Sequence, residues 1–287
     1  MSESQFFSPK SLTDALELLE QYGEKAVIVN GGTDIVEKIA CGIVNPEVVI
    51  YIQDISELKS IREENGYICI GGAATYQEVM ASTLCQQFSG LLQAISEIGS
   101  LPIRIVGTPA GNIGTAVPAA DCNVALIALN ADIILASKNQ ERVINAKEMF
   151  IGYCRTQLQS GELIKEIRLP ILSTNTASAF VKLAKRKAQD ISQVAVGVCL
   201  TMESEVCRDI SIALGAISST AIKAYSLEKI MLGKKVEQGI AELKGVVPSE
   251  ANLRSPLNRP YKEAVISVLV QRAINKAYAE VVEGRKI

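Results

Sequence analysis

The chain has 287 residues, 48% of them hydrophobic, and carries a net charge of −2. That length suits one large or two modest domains, and a near-neutral charge without a Lys/Arg block argues against nucleic acid or an anionic membrane as partner. Histidine is absent, which excludes Ser-His-Asp and Cys-His catalysis and HExxH metal sites, so chemistry here needs a cofactor to carry it.

Ser11-Leu12-Thr13-Asp14 fits a capping box, opening a helix with Leu12, Leu16 and Leu19 at helical spacing up to Gly23. The β-branched run Ala26–Val29 predicts a strand that ends in Asn30-Gly31-Gly32-Thr33-Asp34. A short helix, Ile35–Ala40, and a second strand, Val48–Ile52, follow, giving a βαβ-like opening with a glycine turn at the strand's end. Tyr67–Ile70 predicts another strand, closed by Gly71-Gly72, and Thr75-Tyr76-Gln77-Glu78 is a second capping box. Leu91, Leu92, Ile95 and Ile98 mark an amphipathic helix. From Gly99 to Asp121, four glycines and three prolines interrupt any helical period, and the apolar Ile103, Ile105, Val106, Ile113 and Val117 make this an ordered loop. Ala125–Ala136 reads as strand-like, and Leu163–Leu169 alternates toward Pro170. Leu172–Ala177, rich in Ser, Thr and Asn, is the best linker. Beyond it, Ala179–Ala184, Val194–Met202 and Ile210–Ala216 predict three strands of one sheet. Ala221–Leu232 and Tyr261–Val282 predict helices, and Lys234–Arg259, with Pro248 and Pro256, a loop around a short helix.

Seven cysteines (41, 69, 85, 122, 154, 199, 207) are scattered with no CxxC. This predicts reduced thiols in a cytoplasmic protein and argues against an iron–sulfur cluster or structural zinc in this chain. Met1–Gln5 has neither a basic nor an apolar segment, so no signal peptide is expected. The longest apolar uncharged stretch, Ile105–Ala120, contains Gly107, Pro109, Gly111, Gly114 and Pro118, so no membrane span is expected.

Three constellations suit chemistry. In Ile28–Ile35 a diglycine lets backbone N–H groups approach an anion, and Thr33 offers a hydroxyl; the plain alternative is an ordinary strand-to-helix turn. In Thr108–Asp121, glycines, hydroxyls, the Asn112 amide and the Asp121 carboxylate suit a dinucleotide's pyrophosphate and ribose, the alternative being a structural Ω-loop. Lys182 follows the apolar strand start Ala179-Phe180-Val181, so its amine can point to a defined place beside a flavin's electron-rich edge. Lys185-Arg186-Lys187, with Asp190, reads by contrast as a solvated face.

In order, Val29–Asp34, Thr108–Asp121, Leu163–Pro170, Lys182…Arg186…Asp190-Ile191-Ser192-Gln193-Val194, Ala213–Ala216 and the helix from Arg259 through Ala273 resemble one family along nearly the whole chain. It is the flavin subunit, or middle flavin domain, of the xanthine dehydrogenase and carbon monoxide dehydrogenase group of molybdenum hydroxylases. The resemblance implies an α+β fold. A vanillyl-alcohol-oxidase (PCMH) type FAD-binding domain of two subdomains would span residues 1–172. A small α+β C-terminal domain, like that of the carbon monoxide dehydrogenase flavoprotein, would span 177–287 around a three-stranded antiparallel sheet. It implies that Ile28, Val29, Asn30, Gly31, Gly32, Thr33, Asp34 and Ile35, with Thr108, Pro109, Ala110, Gly111 and Asn112, wrap the FAD pyrophosphate. Further FAD contacts would come from Ile98, Thr115, Asp121, Ile164 and Lys182.

No catalytic side chain and no metal ligand is implied in this chain; FAD, not attached through histidine, carries the redox chemistry. The implied partners are a small subunit with two [2Fe–2S] clusters and a large molybdopterin subunit, in a dimer of heterotrimers. Electrons would run from molybdenum through the clusters and FAD to NAD⁺ or another acceptor, in an enzyme of xanthine- or purine-dehydrogenase type. Two other readings stay open: a self-contained flavoprotein oxidase, disfavoured because no substrate-side base or second substrate domain is evident, and a flavin-binding assembly subunit without turnover. One departure stands out. The family has Gly-Gly-Asn where this chain has Ala110-Gly111-Asn112. A positive φ at position 110 would cost alanine about 1 kcal/mol, whereas a compatible backbone would leave only a narrower pocket.

Overall fold

The computed structural model describes residues 4–186, 189–253 and 259–284; the expectations for Met1–Glu3, Lys187 and Pro256 lie outside the described residues. The chain opens with strand β1 (Gln5–Phe7), helix α1 (Leu12–Tyr22), strand β2 (Ala26–Val29), helix α2 (Ile35–Ala40) and strand β3 (Val48–Tyr51). Only β1, too short to show a period, went unpredicted. The three strands are parallel with β3 in the middle. Leu16, Leu19, Val48 and Ile50 bury together as their core. The first capping box is half made: Ser11 Oγ accepts from the Asp14 N–H at 3.1 Å, and no bond returns.

Next come β4 (Ile61–Glu64), β5 (Tyr67–Gly71), α3 (Tyr76–Ala81), α4 (Ser89–Ser96), α5 (Leu101–Val106), α6 (Pro109–Thr115) and α7 (Asp121–Ala128). They lead into β6 (Asp132–Ala136), β7 (Glu141–Asn145), α8 (Ala146–Met149), the small hairpin β8 (Phe150–Gly152) and β9 (Arg155–Thr156), and β10 (Leu163–Pro170). An antiparallel sheet of order β4-β5-β10-β6-β7 packs under α3, α4 and α7 through Ile68, Ile70, Leu91, Leu126, Ile133 and Ile167. The second capping box is complete: Thr75 Oγ1 accepts from the Glu78 N–H at 3.2 Å, and Glu78 Oε2 accepts from the Thr75 N–H at 2.7 Å. Thr75→Ala is therefore expected to cost about 1 kcal/mol. A thermal melt would register that as a fall of about 2–4 °C, and an unchanged melt would remove the cap from the account of α3.

Two expectations are corrected here. The Gly99–Asp121 stretch is not an ordered loop but is built around two short helices, α5 and α6, separated by Gly107-Thr108. Pro102 and Pro109 each sit in a first helical turn, where no N–H is needed, so they start helices instead of ending them. Ala125–Ala136 is likewise not strand throughout: Asp121–Ala128 is helix, and only Asp132–Ala136 is strand. Every residue of α7 is buried, so no amphipathic period marks it as a helix. It lies between the five-stranded sheet and the sheet that follows. A Cβ at Gly197 would lie 3.0 Å from the Val124 carbonyl oxygen, and one at Gly215 would lie 2.5 Å from Val124 Cγ2. Glycine at those positions is what lets α7 seat so closely.

The last sheet is antiparallel, β11 (Thr176–Leu183), β12 (Val194–Glu203), β13 (Val206–Gly215) and β14 (Ile222–Lys223), followed by α9 (Tyr225–Met231), α10 (Val236–Glu242) and α11 (Arg259–Gly284). It has four strands, not the expected three. Ile222 and Lys223 pair with Leu214 and Ala213, and the helix expected from Ala221 begins only at Tyr225. The Leu172–Ala177 linker is shorter than expected, since β11 already starts at Thr176. Val196, Val198, Ile212, Ile266, Leu269 and Ala273 form the core between this sheet and α11.

Candidate functional site

Two glycine-bearing segments, 78 residues apart, are tied together by one buried amide. Asn30, at the end of β2, donates through Nδ2 to Thr108 Oγ1 at 2.9 Å and to the Gly72 carbonyl oxygen at 2.7 Å. Thr108 Oγ1 also accepts from the Gly111 N–H at 2.9 Å, capping α6. Gly31 packs where a Cβ would lie 2.0 Å from the Val106 carbonyl oxygen, and Gln53 Nε2 donates to that same oxygen at 2.6 Å. Gly31 therefore owes its identity first to the contact with the end of α5. Gly32 turns the chain with a φ of +71°, where a side chain is strained. Ala110 has no positive φ and lies buried inside α6, so its methyl carries no backbone strain.

The resulting cradle has unused hydrogen-bonding capacity of both signs. Among the described residues, the N–H groups of Gly31, Gly32, Thr33 and Asp34 donate to no protein atom. Asn30 Oδ1 and Asn112 Oδ1 are buried acceptors with no partner. Thr115 sits at the rim, its hydroxyl donating to the Gly111 carbonyl at 3.0 Å and lying 3.4 Å from Asp34 Oδ2, while Lys38 pairs with that carboxylate at 2.6 Å. Val29, Pro109, Ala110 and Ile164 are buried around it, and Ile28, in β2, and Ile35, opening α2, flank the turn. The Ile164 carbonyl oxygen would lie 2.1 Å from a Cβ at Gly72.

Ile98, Asp121 and Lys182 form a second group, at the far end of α5. Lys182 Nζ donates to Asp121 Oδ2 at 2.9 Å, to the Glu97 carbonyl at 3.0 Å and to the Asp190 carbonyl at 3.3 Å. Ser192 Oγ donates to Asp121 Oδ1 at 2.5 Å. Both side chains of the ion pair are under a tenth exposed. Burial pushes the Asp121 carboxyl above the ordinary aspartate range, with Lys182 and Ser192 pulling it back. Lys182 does not present a free amine, and Asp121 does not present a free carboxylate; each is the other's partner, joining the C-terminal sheet to α7. Lys185 and Arg186 are exposed, with Arg186 bonded to Asp190, in keeping with a solvated face. An open cleft of about 510 Å³ runs beside this pair, between Gly99–Arg104 and Lys182–Asp190.

The FAD binding domain in molybdopterin dehydrogenase matches residues 2–172, and the CO dehydrogenase flavoprotein C-terminal domain matches residues 179–277. The chain belongs to the FAD-binding subunits of the molybdenum hydroxylase family. This FAD-binding subunit is therefore part of an oxidoreductase complex. It is 30% identical over 282 residues to the carbon monoxide dehydrogenase medium chain of Hydrogenophaga pseudoflava, covering 96% of this chain and 97% of that one. It is 33% identical over 239 residues to the nicotinate dehydrogenase FAD-subunit of Eubacterium barkeri, covering 81% of each. A solved carbon monoxide dehydrogenase from Hydrogenophaga pseudoflava, lacking the Mo-pyranopterin moiety of the molybdenum cofactor, superposes with a TM-score of 0.89 at 29% identity, over 97% of this chain and 98% of that one.

The cradle of the FAD-binding subunit suits its cofactor. Free backbone N–H groups match a pyrophosphate, and the two orphaned amide oxygens match ribityl or ribose hydroxyls. Sequence reasoning missed four residues. Gly72 was visible only as a strand stop; Gln53 and Ser192 gave no local signal, because each acts on a segment far along the chain, and Arg104, bonded to carbonyls five and six residues back, sits in a short helix with no period to mark it. Among the described residues, no three His, Cys, Asp or Glu side chains converge as a metal site, and no helix is long and apolar enough to cross a membrane.

Proposed function

We propose that the subunit holds FAD non-covalently in this cradle and relays electrons from [2Fe–2S] clusters of a small partner subunit, themselves filled from a large molybdopterin subunit, to NAD⁺. The observation that carries the reading is the Asn30–Thr108 bond, which sets one run of free amides beside a second glycine segment. The N–H groups of Gly31–Asp34 would hold the pyrophosphate together with Thr108–Asn112, and Asn30 Oδ1 and Asn112 Oδ1 would accept from sugar hydroxyls. Ile98 and Ile164 supply apolar wall. Asp121 and Lys182 position the C-terminal sheet beside the cradle. Bound FAD supplies the electron-transfer chemistry.

Residues 1–172 would form the FAD-binding domain and 177–287 the C-terminal domain. Relatives named for carbon monoxide and for nicotinate share this subunit, which supports leaving recognition of the hydroxylated substrate to the molybdopterin subunit. The enzyme would be of xanthine- or purine-dehydrogenase type, working in the cytoplasm as a dimer of heterotrimers. The test is a native pull-down with absorbance spectra and NADH-to-dye assays. Iron–sulfur and molybdenum chains, a flavin spectrum and NADH-dependent dye reduction are expected. Absence of the partner chains ends the complex reading, absence of flavin after reconstitution ends the cofactor reading, and an inert NADH assay ends the acceptor reading.

A further inference from the structure

The cation that sequence reasoning set beside the flavin, Lys182, has nothing left to offer a ligand. An ammonium has three N–H donors, and the Lys182 ammonium meets Asp121 Oδ2, the Glu97 carbonyl and the Asp190 carbonyl at 2.9, 3.0 and 3.3 Å. Its charge is balanced by the Asp121 carboxylate, and its side chain is 8% exposed.

Arg104 is the opposite case. A guanidinium carries five donors. Nη1 donates to the Ile98 carbonyl at 2.8 Å, with the Gly99 carbonyl more distant at 3.5 Å. Nε is buried and has no partner among the described residues. Among the described residues, no carboxylate pairs with Arg104. A cation with a desolvated, unused donor is costly unless an acceptor arrives to meet it. Arg104 lines the 510 Å³ cleft, opposite Lys182 and Asp190. It also belongs to α5, whose last residue, Val106, packs on Gly31 of the cradle. One short helix thus joins the free amides to the uncompensated cation.

We propose that Arg104, a cation with no carboxylate partner, faces the electron-rich edge of the flavin ring of FAD in this cleft, where it favours the reduced, anionic form. This rests on the FAD reading above. The sign is electrostatic: a fixed positive charge in a partly desolvated site stabilises added negative charge more than it stabilises the neutral oxidised ring.

The test uses the FAD-reconstituted full chain, with the flavin midpoint potential and the FAD dissociation constant measured for wild type, Arg104→Gln and Arg104→Lys. Arg104→Gln is expected to lose at least tenfold of the preference for reduced over oxidised flavin, about 30 mV for a two-electron couple. Arg104→Lys, which keeps the charge, is expected to restore most of it. An Arg104→Gln protein with unchanged potential overturns the proposal. So does one in which only FAD affinity falls, since Arg104 would then grip a phosphate and not the ring. If Arg104→Gln does not fold, the wild-type chain decides: FAD must block modification of Arg104 by phenylglyoxal, mapped by mass spectrometry, and an unblocked Arg104 overturns the proposal. A wild-type chain that retains no FAD would instead defeat the cofactor reading.

Discussion

Gly31→Val is expected to give a protein that no longer retains FAD and melts early. The new Cβ would be built 2.0 Å from the Val106 carbonyl oxygen and 2.6 Å from its carbon, both backbone atoms with no rotamer to escape into. The end of α5 must move or the turn must open. Either displaces Gln53 from the Val106 carbonyl and strains the Asn30–Thr108 tie. Overpacking of this kind costs about 3 kcal/mol, and a tenfold or greater loss of FAD affinity, about 1.4 kcal/mol, should accompany it. Gly32→Val acts by another route, placing a β-branched side chain at a φ of +71°. Gly111→Val crowds the capping Thr108 Oγ1, 3.0 Å from the new Cβ. Gly114→Ala, with nothing within 4 Å of its Cβ, is the control and should keep both flavin and stability. Flavin absorbance per chain and thermal melts give the answer; wild-type flavin content in the Gly31, Gly32 and Gly111 variants would show that the cradle lies elsewhere.

Lys182→Met should be the most destabilising single change at the second group. It strands the Asp121 carboxylate, 6% exposed, with Ser192 as its one remaining side-chain donor. Breaking a buried pair from one side costs about 3–5 kcal/mol. The effect depends on pH in a defined direction. Burial already raises the Asp121 carboxyl above its ordinary 3.8, and Lys182 is the largest opposing influence, so its loss raises the carboxyl further. A folded-state value above the unfolded one means that the favourable contribution is fully present below the unfolded value and is lost as pH climbs through the folded value. The Lys182→Met deficit should therefore be smallest in acid and grow toward neutrality. Adding Asp121→Asn removes the stranded charge and should recover much of the loss. Urea midpoints in mild acid and at neutral pH test this, and a double variant no better than the single would show that the cost lies in lost packing instead.

How much was legible beforehand follows from the range of each interaction. The β2-turn-α2-β3 opening and the Thr75 capping box are written in neighbouring residues, and they appear where composition and spacing put them. Both glycine segments of the cradle were visible because glycine and Asn-Gly-Gly turns are local punctuation. The α7 helix was hidden because burial on all sides erases its period. The β14 strand was hidden because two residues, Ile222 and Lys223, carry no period at all. Lys182 follows an apolar strand start, but the partners of its amine could not be read from its neighbours. Its acceptors lie 61, 85 and 8 residues away.

By itself, the sequence determined that histidine-dependent catalysis is excluded, and it marked two glycine segments as candidates to meet an anion. It also carried the family membership in the order of its motifs. Only the tertiary structure decided that Asn30 would bind those segments into one cradle, that Asp121 would neutralise Lys182, and that Arg104 would stand uncompensated over a cleft. The physical reason is that a charge or an amide has no fixed partner until folding chooses one. Propensity and turn chemistry act over a few residues, whereas a buried polar group is satisfied by whatever the packing of distant elements brings within hydrogen-bonding reach.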